Sequence, residues 1–265
     1  MRAEALYFEE VEMSGHSKWA GIKHKKAAQD AKRGRIFTKL IREITVAARE
    51  GGGNPDTNPR LRTAIDRARD ANMPQDNIDK AIKRGTGELP GVTYESCIFE
   101  GYGPGGVAIM VEALTDNKNR TSAEIRNIFS KRGGNMAGSG SVSWIFNKKG
   151  YILIDKNQGS EDDIFAISVD AGAEDMKAEG KNYEIFCDPH DFETVKNSIK
   201  EKNIKWELAE LTMLPTSTVQ VTGQTAKQLL ALIEALEEHD DVQKVYANFD
   251  IPEEVLEEIA HELSK

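Results

Sequence analysis

Tyr151-Ile-Leu-Ile-Asp155 and Tyr183-Glu-Ile-Phe-Cys187 are the two apolar runs from which the fold of this chain can be worked out. The hydrophobic spacing around them predicts, in order, strand 151–155, helix 161–171, strand 174–178, strand 183–187, helix 190–202 and strand 205–213. The order βαββαβ is typical of a ferredoxin-like domain. We therefore expect one such domain in the second half of the chain.

Strand-like runs also flank this domain on both sides. Residues 94–100 and 107–113 predict two strands, and after them come a helix that opens with Thr121 and Glu124 in capping-box spacing and a short strand at 142–146. Beyond Pro215, which we expect to break the chain, the pattern predicts a strand at 217–222, a helix at 225–238, a strand at 242–249 and an acidic helix at 252–263. A single βαβ set makes a poor sheet by itself, so we expect it to complete the sheet begun at 94–113.

The region from Lys18 to Arg84 has helical periodicity instead. Apolar residues recur at helical spacing from Ile36 to Ala48, and Gly51-Gly-Gly53 stops the run. Asn58-Pro59 predicts the start of a second helix, and Asn72-Met-Pro74 predicts the start of a third. Short amphipathic helices bury their apolar stripes against one another, so a small bundle is expected.

These elements predict an α+β fold, with an N-terminal helical bundle and two α+β domains of which the ferredoxin-like one is inserted in the other. The expected divisions are a disordered or non-native leader at 1–12, a basic helical domain at 13–86, a discontinuous α+β domain at 92–148 plus 215–265, and the inserted domain at 149–214.

The charges of the chain are separated by region. The 265 residues have a net charge of −9, yet residues 14–84 contain 17 Lys or Arg and only 8 Asp or Glu. Charge of one sign gathered on one segment is typical of a polyanion-binding surface. No apolar run is long enough to span a membrane. Cys97 and Cys187 are 90 residues apart, which suggests two small buried residues in a reducing cytoplasm rather than a disulfide or metal framework.

The basic segment supplies the first candidate nucleic-acid contacts. Its cations can neutralise phosphates, and Trp19 and His24 can stack on an unpaired base or a sugar. The alternatives are a solvated helix face and, for Trp19, an anchor in the core. The residues in this candidate set are Lys18, Trp19, Lys23, His24, Lys25, Lys26, Lys32, Arg33, Arg35, Lys39 and Arg42.

The second predicted helix supplies four arginines, Arg60, Arg62, Arg67 and Arg69. Guanidinium groups suit phosphate recognition better than ammonium groups do. Pairing within the helix is the alternative, and Arg62 and Asp66 have the spacing for it.

A third candidate is the Gly/Ser-rich loop Lys131–Ser141, because small residues let a loop approach another macromolecule closely. An ordinary mobile loop is the alternative. The possible contact residues of this region are Asn117, Arg120, Lys131, Arg132 and Asn135.

Catalytic and cofactor motifs are poorly represented. Gly101-Tyr-Gly103-Pro-Gly-Gly106 satisfies the spacing of a dinucleotide fingerprint, but a strand-like run follows it where the fingerprint needs a helix. A hairpin turn is therefore expected. The histidines are scattered, and no metal-ligand set, P-loop or nucleophile elbow occurs in the sequence. We expect a non-enzymatic protein without cofactor or metal.

Several strings together resemble the YebC/PmpR family. They include His16-Ser-Lys-Trp19, Ile22-Lys-His-Lys-Lys-Ala27, Ala47-Ala-Arg-Glu-Gly-Gly-Gly53, Asn58-Pro-Arg-Leu-Arg62, Glu100-Gly-Tyr-Gly-Pro-Gly-Gly-Val107 and Leu114-Thr-Asp-Asn117. The resemblance runs from about Met13 to the C-terminus and is densest up to Phe146. It implies a helical N-terminal domain followed by two α+β domains, one inserted in the other. It also implies a non-enzymatic regulator associated with nucleic acid, and the family is usually described as DNA-binding transcriptional regulators. We expect the protein to be cytoplasmic.

Relatives of that family, including a mitochondrial translational activator, are tied to the ribosome. The resemblance therefore leaves open a translation factor that contacts ribosomal or transfer RNA and relieves stalled translation. A third hypothesis is a scaffold that binds a protein partner with its acidic domains. We expect a monomer or a weak dimer, because the sequence contains no zipper or other dimer seam.

Overall fold

The computed structural model describes residues 30–252 and 255–256, except for the side chains of residues 30–33 and 179. The predicted leader, the basic residues before position 30 and most of the predicted tail helix lie outside these residues.

The described part of the chain is a mixture of helices and strands. In chain order the helices are α1 (Asp30–Gly51), α2 (Pro59–Asp70), α3 (Gln75–Thr86), α4 (Lys118–Lys131), α5 (Glu161–Asp170), α6 (Phe192–Glu201) and α7 (Gly223–Glu238). The strands are β1 (Glu95–Tyr102), β2 (Ala108–Thr115), β3 (Asn135–Met136), β4 (Phe146–Asp155), β5 (Ala173–Glu179), β6 (Asn182–Cys187), β7 (Leu208–Pro215), β8 (Val219–Gln220), β9 (Val242–Ala247) and β10 (Phe249–Asp250).

Helices α1 to α3 form the predicted bundle around Ile44, Leu61 and Ile78. Buried Asn58 joins two of them. Its side-chain oxygen accepts the N–H of Leu61 at 3.1 Å as the N-cap of α2, and its amide donates to the Ala47 carbonyl of α1 at 2.8 Å. At Gly85, α3 lies so close to α1 that a Cβ atom would come within 2.5 Å of the Thr45 carbonyl oxygen.

The first sheet has the strand order β3-β1-β2-β9, with each neighbouring pair antiparallel. Helices α4 and α7 cover one face of it, and Phe129 and Leu229 belong to the core between them. Strand β9 pairs with β2, which confirms that the C-terminal set completes the sheet begun near residue 95. The expected strand at 217–222 is only partly present, because β8 pairs in parallel with β10 in a separate two-stranded ribbon.

The second sheet has the order β5-β6-β4-β7 and is antiparallel throughout. This is the arrangement of a βαββαβ ferredoxin-like unit, with the first and third strands in the centre. The α+β fold predicted from the sequence is confirmed.

Two details of the prediction are wrong. A separate strand at 142–146 does not form, because β4 runs without interruption from Phe146 and pairs with β7 as far as Pro215. Pro215 itself ends β7, as expected of a residue that supplies no ladder donor. Helix α4 begins earlier than expected, because the side chain of Asn117 accepts the Arg120 N–H and forms the N-cap.

The domain boundaries themselves remain a prediction, and the one at 148/149 falls within β4. The other face of the first sheet packs on the start of β4, where Met110, Ile145, Phe146 and Tyr246 form a common apolar cluster. Within the described residues, no helix is both long enough and apolar enough to cross a membrane.

Candidate nucleic-acid interface

The predicted contacts of the basic segment divide into three groups. Lys18, Trp19, Lys23, His24, Lys25 and Lys26 lie outside the described residues. Lys32 and Arg33 are in the first turn of α1, and their side chains are not described. The remaining three cations have defined partners.

Arg35, Lys39 and Arg42 point from α1 toward the C-terminal end of α7. The Lys39 ammonium donates to the Glu237 carbonyl at 2.6 Å, and Arg35 lies 3.3 Å from the Glu238 carboxylate. Carbonyls at the end of a helix have no partner within the helix and carry negative partial charge, so they attract cations. The sequence predicts phosphate contacts for these side chains, whereas in the structure they hold the bundle against the first sheet.

Burial affects Lys39 strongly. Desolvation lowers its pKa to about 8, although the nearby Glu237 and Asp240 act in the opposite direction. This side chain is therefore a half-buried internal group rather than a freely hydrated cation.

Arg42 belongs to a polar cluster around Asp241, which we call the Asp241 cluster. Its guanidinium donates to the Asp240 carbonyl at 2.6 Å and to Asp241 Oδ1 at 2.5 Å. The other oxygen, Asp241 Oδ2, accepts from Thr121 at 2.5 Å, from Arg120 at 2.9 Å and from Thr115 at 3.1 Å. The Asp241 carboxylate is buried, which alone would raise its pKa, but the Thr121, Arg120 and Arg42 donors outweigh burial and lower the pKa to about 2. Asp241 is therefore ionised at neutral pH and fully paired.

Glu124, His239 and Asp241 place ligand-type atoms within 4.8 Å of one another. A metal ion is disfavoured there, because two guanidinium groups already contact the Asp241 carboxylate. The His239 ring is instead 2.9 Å from Glu124 and accepts the Asp241 N–H at 3.1 Å.

The α2 arginines are oriented differently. Arg60 turns back to pair with Glu43 at 3.0 Å and with Glu50, both in α1. Asp66 lies 3.6 Å from Arg69, so the expected Arg62–Asp66 pair does not form. Arg62 and Arg67 are exposed and make no ion pair with the residues that the structure describes.

The predicted loop contacts are also divided. Asn117 caps α4, and Arg120 pairs with Asp116 at 2.8 Å as well as with Asp241, so both stabilise the fold. Arg132 donates to the Ala231 carbonyl at 3.1 Å, and Lys131 and Arg132 line a shallow pocket of about 210 Å³ together with Gln228. Asn135 is exposed in β3, opposite Tyr102.

The small-residue loop is built around a buried acid. We call residues 138–144 the Glu100 loop, because the Glu100 carboxylate accepts the backbone N–H groups of Gly140 at 2.7 Å, Val142 at 2.6 Å and Ser143 at 2.9 Å. Burial would raise the pKa of Glu100, but these donors outweigh it and hold the pKa below its ordinary value. One carboxylate thus holds three backbone N–H groups of this segment.

Trp144, at the end of the Glu100 loop, was not among the predicted site residues. Its side chain is 71% exposed, whereas Val142, Ile145 and Phe146 around it are buried. In the expected strand, residues 142, 144 and 146 would share one face. The short 3₁₀ turn Ser143–Ile145 changes that direction and turns the indole outward. Nothing in the local sequence distinguished the turn from a strand.

Other predictions near the site are confirmed. Strands β1 and β2 form a hairpin from Tyr102 to Ala108, so the glycine-rich turn opens a strand rather than a helix. Gly105 and Gly106 have φ values of +80° and +77°, which glycine tolerates best. Both cysteines are free and buried.

Comparison with known proteins identifies relatives along most of the chain. The family profile of the TACO1/YebC protein N-terminal domain matches residues 17–88, and that of the TACO1/YebC second and third domain matches residues 94–249. A probable transcriptional regulatory protein of Dictyoglomus turgidum is 57% identical over 249 residues, which cover 94% of this chain and 100% of the relative. One from Halothermothrix orenii is 55% identical over 253 residues, again covering 94% and 100%.

The crystal structure of a conserved hypothetical protein from Aquifex aeolicus has a similar fold. It superposes with a TM-score of 0.78 at 51% sequence identity and covers 88% of this chain and 97% of that chain. These matches confirm the resemblance seen in the sequence motifs. The chain belongs to the TACO1/YebC family, and relatives that match 94% of its length are named probable transcriptional regulatory proteins.

Proposed function

We propose that this chain is a non-enzymatic regulator of gene expression that binds nucleic acid through its N-terminal basic region. The names of its relatives favour a transcriptional regulator, and we propose that it binds DNA and acts in the cytoplasm. The observation that carries the proposal is the excess of 17 Lys or Arg over 8 Asp or Glu in residues 14–84 of an otherwise acidic chain.

The structure narrows which cations are available for this role. Lys39 and Arg42 are engaged by α7 and Asp241, and Arg60 by Glu43 and Glu50, so we leave them out of the proposed interface. Arg62, Arg67 and Arg69 are exposed on α2. Together with the basic residues that precede α1, they are the cations that we propose contact phosphate.

The state of the two cysteines fits a non-enzymatic role. Burial raises the pKa of the Cys97 thiol, and it raises that of Cys187 to about 11. A thiol acts as a nucleophile through its thiolate form, which such values disfavour at neutral pH. Neither cysteine is therefore suited to covalent catalysis.

A second candidate function is a translation factor that binds RNA on the ribosome. The exposed indole of Trp144 favours it, because sequence-tolerant recognition of RNA relies on aromatic rings that stack on unpaired bases. Duplex DNA is usually recognised by a helix or a ribbon in the major groove, which an aromatic at the end of a loop does not provide.

A competition experiment separates the two candidates. Labelled protein is incubated with purified ribosomes at ~150 mM salt, where nonspecific phosphate binding is already weak, and a pool of duplex DNA is added as competitor. Sequence-dependent DNA binding without ribosome association would establish the transcriptional form. Ribosome binding that duplex DNA cannot displace would establish the translational form.

A charge-reversal variant tests the basic region in either case. Changing Lys23, Lys25 and Lys26 to Glu is expected to abolish binding to nucleic acid or ribosomes. A fragment that lacks residues 14–84 and keeps the biological activity would contradict the proposal and favour an acidic scaffold.

A further inference from the structure

Two exposed aromatic side chains meet at one backbone carbonyl. Trp144 Nε1–H and the Tyr102 hydroxyl each donate to the Ser141 oxygen at 3.1 Å. Trp144 is 71% exposed and Tyr102 is 39% exposed. Because the polar atoms of both side chains already have a partner inside the chain, what they offer to a ligand is the surface of their rings.

The Glu100 loop supports these two rings. Ser141 lies within the Glu100 loop, whose backbone is held by three N–H groups that point at one buried carboxylate. A hydrogen bond to a charged acceptor is stronger than one between neutral groups. The indole is therefore presented by an ordered turn, which reduces the entropy lost when a ligand binds.

The surroundings of the rings are open. Gly140 has empty space where a Cβ atom would lie, and its neighbours Ser139 and Ser141 are small. Exposed Asn135 pairs with Tyr102 across the β1–β3 ladder, so its amide lies at the same end of the sheet.

The local charge also differs from that of the rest of the α+β part. Residues 117–150 contain seven Lys or Arg and one Asp or Glu. The other residues between 85 and 265 contain ten Lys or Arg and 31 Asp or Glu. Arg120 and Lys149 of this stretch are paired with carboxylates outside it, which leaves five cations and one acid. Trp144 therefore belongs to a stretch that keeps a net positive charge, which favours a polyanionic ligand.

We propose that Trp144, with Tyr102 beside it, is a stacking site for an unpaired base of single-stranded nucleic acid. The inference rests on the proposed function in one respect, since it requires that the chain binds nucleic acid. It adds a contact that is separate from the basic helices and works by stacking rather than by charge. Every base has a π-face, so the site is expected to tolerate different sequences.

The test measures the affinity of the full chain for a fluorescein-labelled single strand of about 12 nucleotides, as RNA and as DNA, at ~150 mM salt. The variant Trp144→Ala is compared with the wild type and with Trp144→Phe. Phe165→Ala is the matched control, because Phe165 is an exposed aromatic (49%) on α5. Melting curves check that the fold is kept.

Trp144→Ala is expected to weaken binding by about 5- to 150-fold, the range that stacking on one base contributes. Trp144→Phe should retain most of the affinity, and Phe165→Ala all of it. The dependence of the affinity on salt should be the same in Trp144→Ala and the wild type, because no phosphate contact is lost. Tighter binding of RNA or of DNA by the wild type would show which strand supplies the base.

Two results would overturn the stacking site and leave the proposed function intact. One is wild-type affinity in Trp144→Ala, which would show that no base stacks on the indole. The other is an equal loss in Phe165→Ala. If the wild type bound neither single strands nor duplex DNA nor ribosomes, the proposed function would fail, and the stacking site with it.

Discussion

Asp241 and Glu100 are both buried carboxylates of the first sheet region, but they stabilise the molecule with different partners. Asp241 is paired with side chains from distant parts of the chain, above all the guanidinium groups of Arg42 and Arg120. Glu100 is paired with backbone N–H groups of one nearby loop. Cations therefore balance the charge of Asp241, whereas the donors to Glu100 carry no net charge.

The difference explains which basic residues remain available for a ligand. The Asp241 cluster and the end of α7 engage Arg42 and Lys39, so these cations lie inside the molecule although they belong to a basic helix. The Glu100 loop orders a surface without using a cation, and it leaves Trp144 exposed. Counting charges along a sequence therefore overestimates the cations that can reach a phosphate.

The largest effect is expected for Asp241→Asn. This change leaves the half-buried guanidinium of Arg42 without its counter-charge and should lower the free energy of unfolding by about 3 kcal/mol. Urea unfolding measures it. Asp240→Asn is the matched control, because Asp240 is exposed and contributes only its backbone carbonyl to Arg42. Equal midpoints for the two variants would contradict the role of the Asp241 cluster.

The Asp241 cluster also predicts a pH dependence. The pKa of the Asp241 carboxyl is about 2 in the folded chain, below the ordinary value near 3.9 of an Asp in an unfolded chain. The stabilisation is thus complete above about pH 4 to 5 and is lost as the pH falls through about 2, with a total of about 2 kcal/mol. The difference in unfolding free energy between wild type and Asp241→Asn should shrink over this interval. A difference independent of pH would contradict the prediction.

A smaller loss of about 1.5 kcal/mol is expected for Glu100→Gln, because the neutral amide accepts fewer of the backbone donors and leaves one of them unpaired. Melting temperature measures the loss, and hydrogen exchange at the Gly140, Val142 and Ser143 amides should become faster as the Glu100 loop loosens. Glu88→Gln, at an exposed position, is the control. Unchanged exchange at these amides would show that the loop is ordered by other contacts.

At pH 7, Lys39→Met should change the free energy of unfolding by no more than about 0.5 kcal/mol, since desolvation of the ammonium offsets its hydrogen bond to α7. The charged form is disfavoured in the folded chain, so the wild type should gain stability relative to Lys39→Met as the pH rises from about 8 toward about 10.4. Unfolding curves at several pH values test this. A loss of stability over that range would contradict it.

The order of the elements could be predicted from the sequence because their periodicities are strong. Apolar runs such as Tyr151–Asp155 identified the ferredoxin-like unit, and the Asn58-Pro59 signal identified the start of α2. The ends of a strand are harder to predict where a partner strand from a distant part of the chain determines them. Strand β4 extends back to Phe146 only because β7 supplies a partner as far as Pro215.

The site was harder to predict, because it depends on contacts between distant residues. No local pattern shows that Arg42 meets Asp241, which is 199 positions away. Likewise, the outward direction of Trp144 depends on a 3₁₀ turn and on Glu100, 44 positions earlier in the chain. A Glu that follows Cys97-Ile-Phe99 at the end of a predicted strand, with a loop of small residues later in the chain, was the one signal that could have indicated the Glu100 loop.

The central claim is that the exposed arginines of α2 contact nucleic acid, and one pair of double variants tests it most directly. Arg62→Glu with Arg67→Glu is compared with Lys202→Glu with Lys205→Glu, which changes the net charge equally at exposed positions of the ferredoxin-like unit. The affinity for duplex DNA and for single-stranded RNA is measured as a function of salt. We predict that the α2 variant loses affinity and that its salt slope falls by about 2, while the control keeps the wild-type slope. Equal behaviour of the two variants would contradict the claim, because the effect would then come from total charge and not from α2.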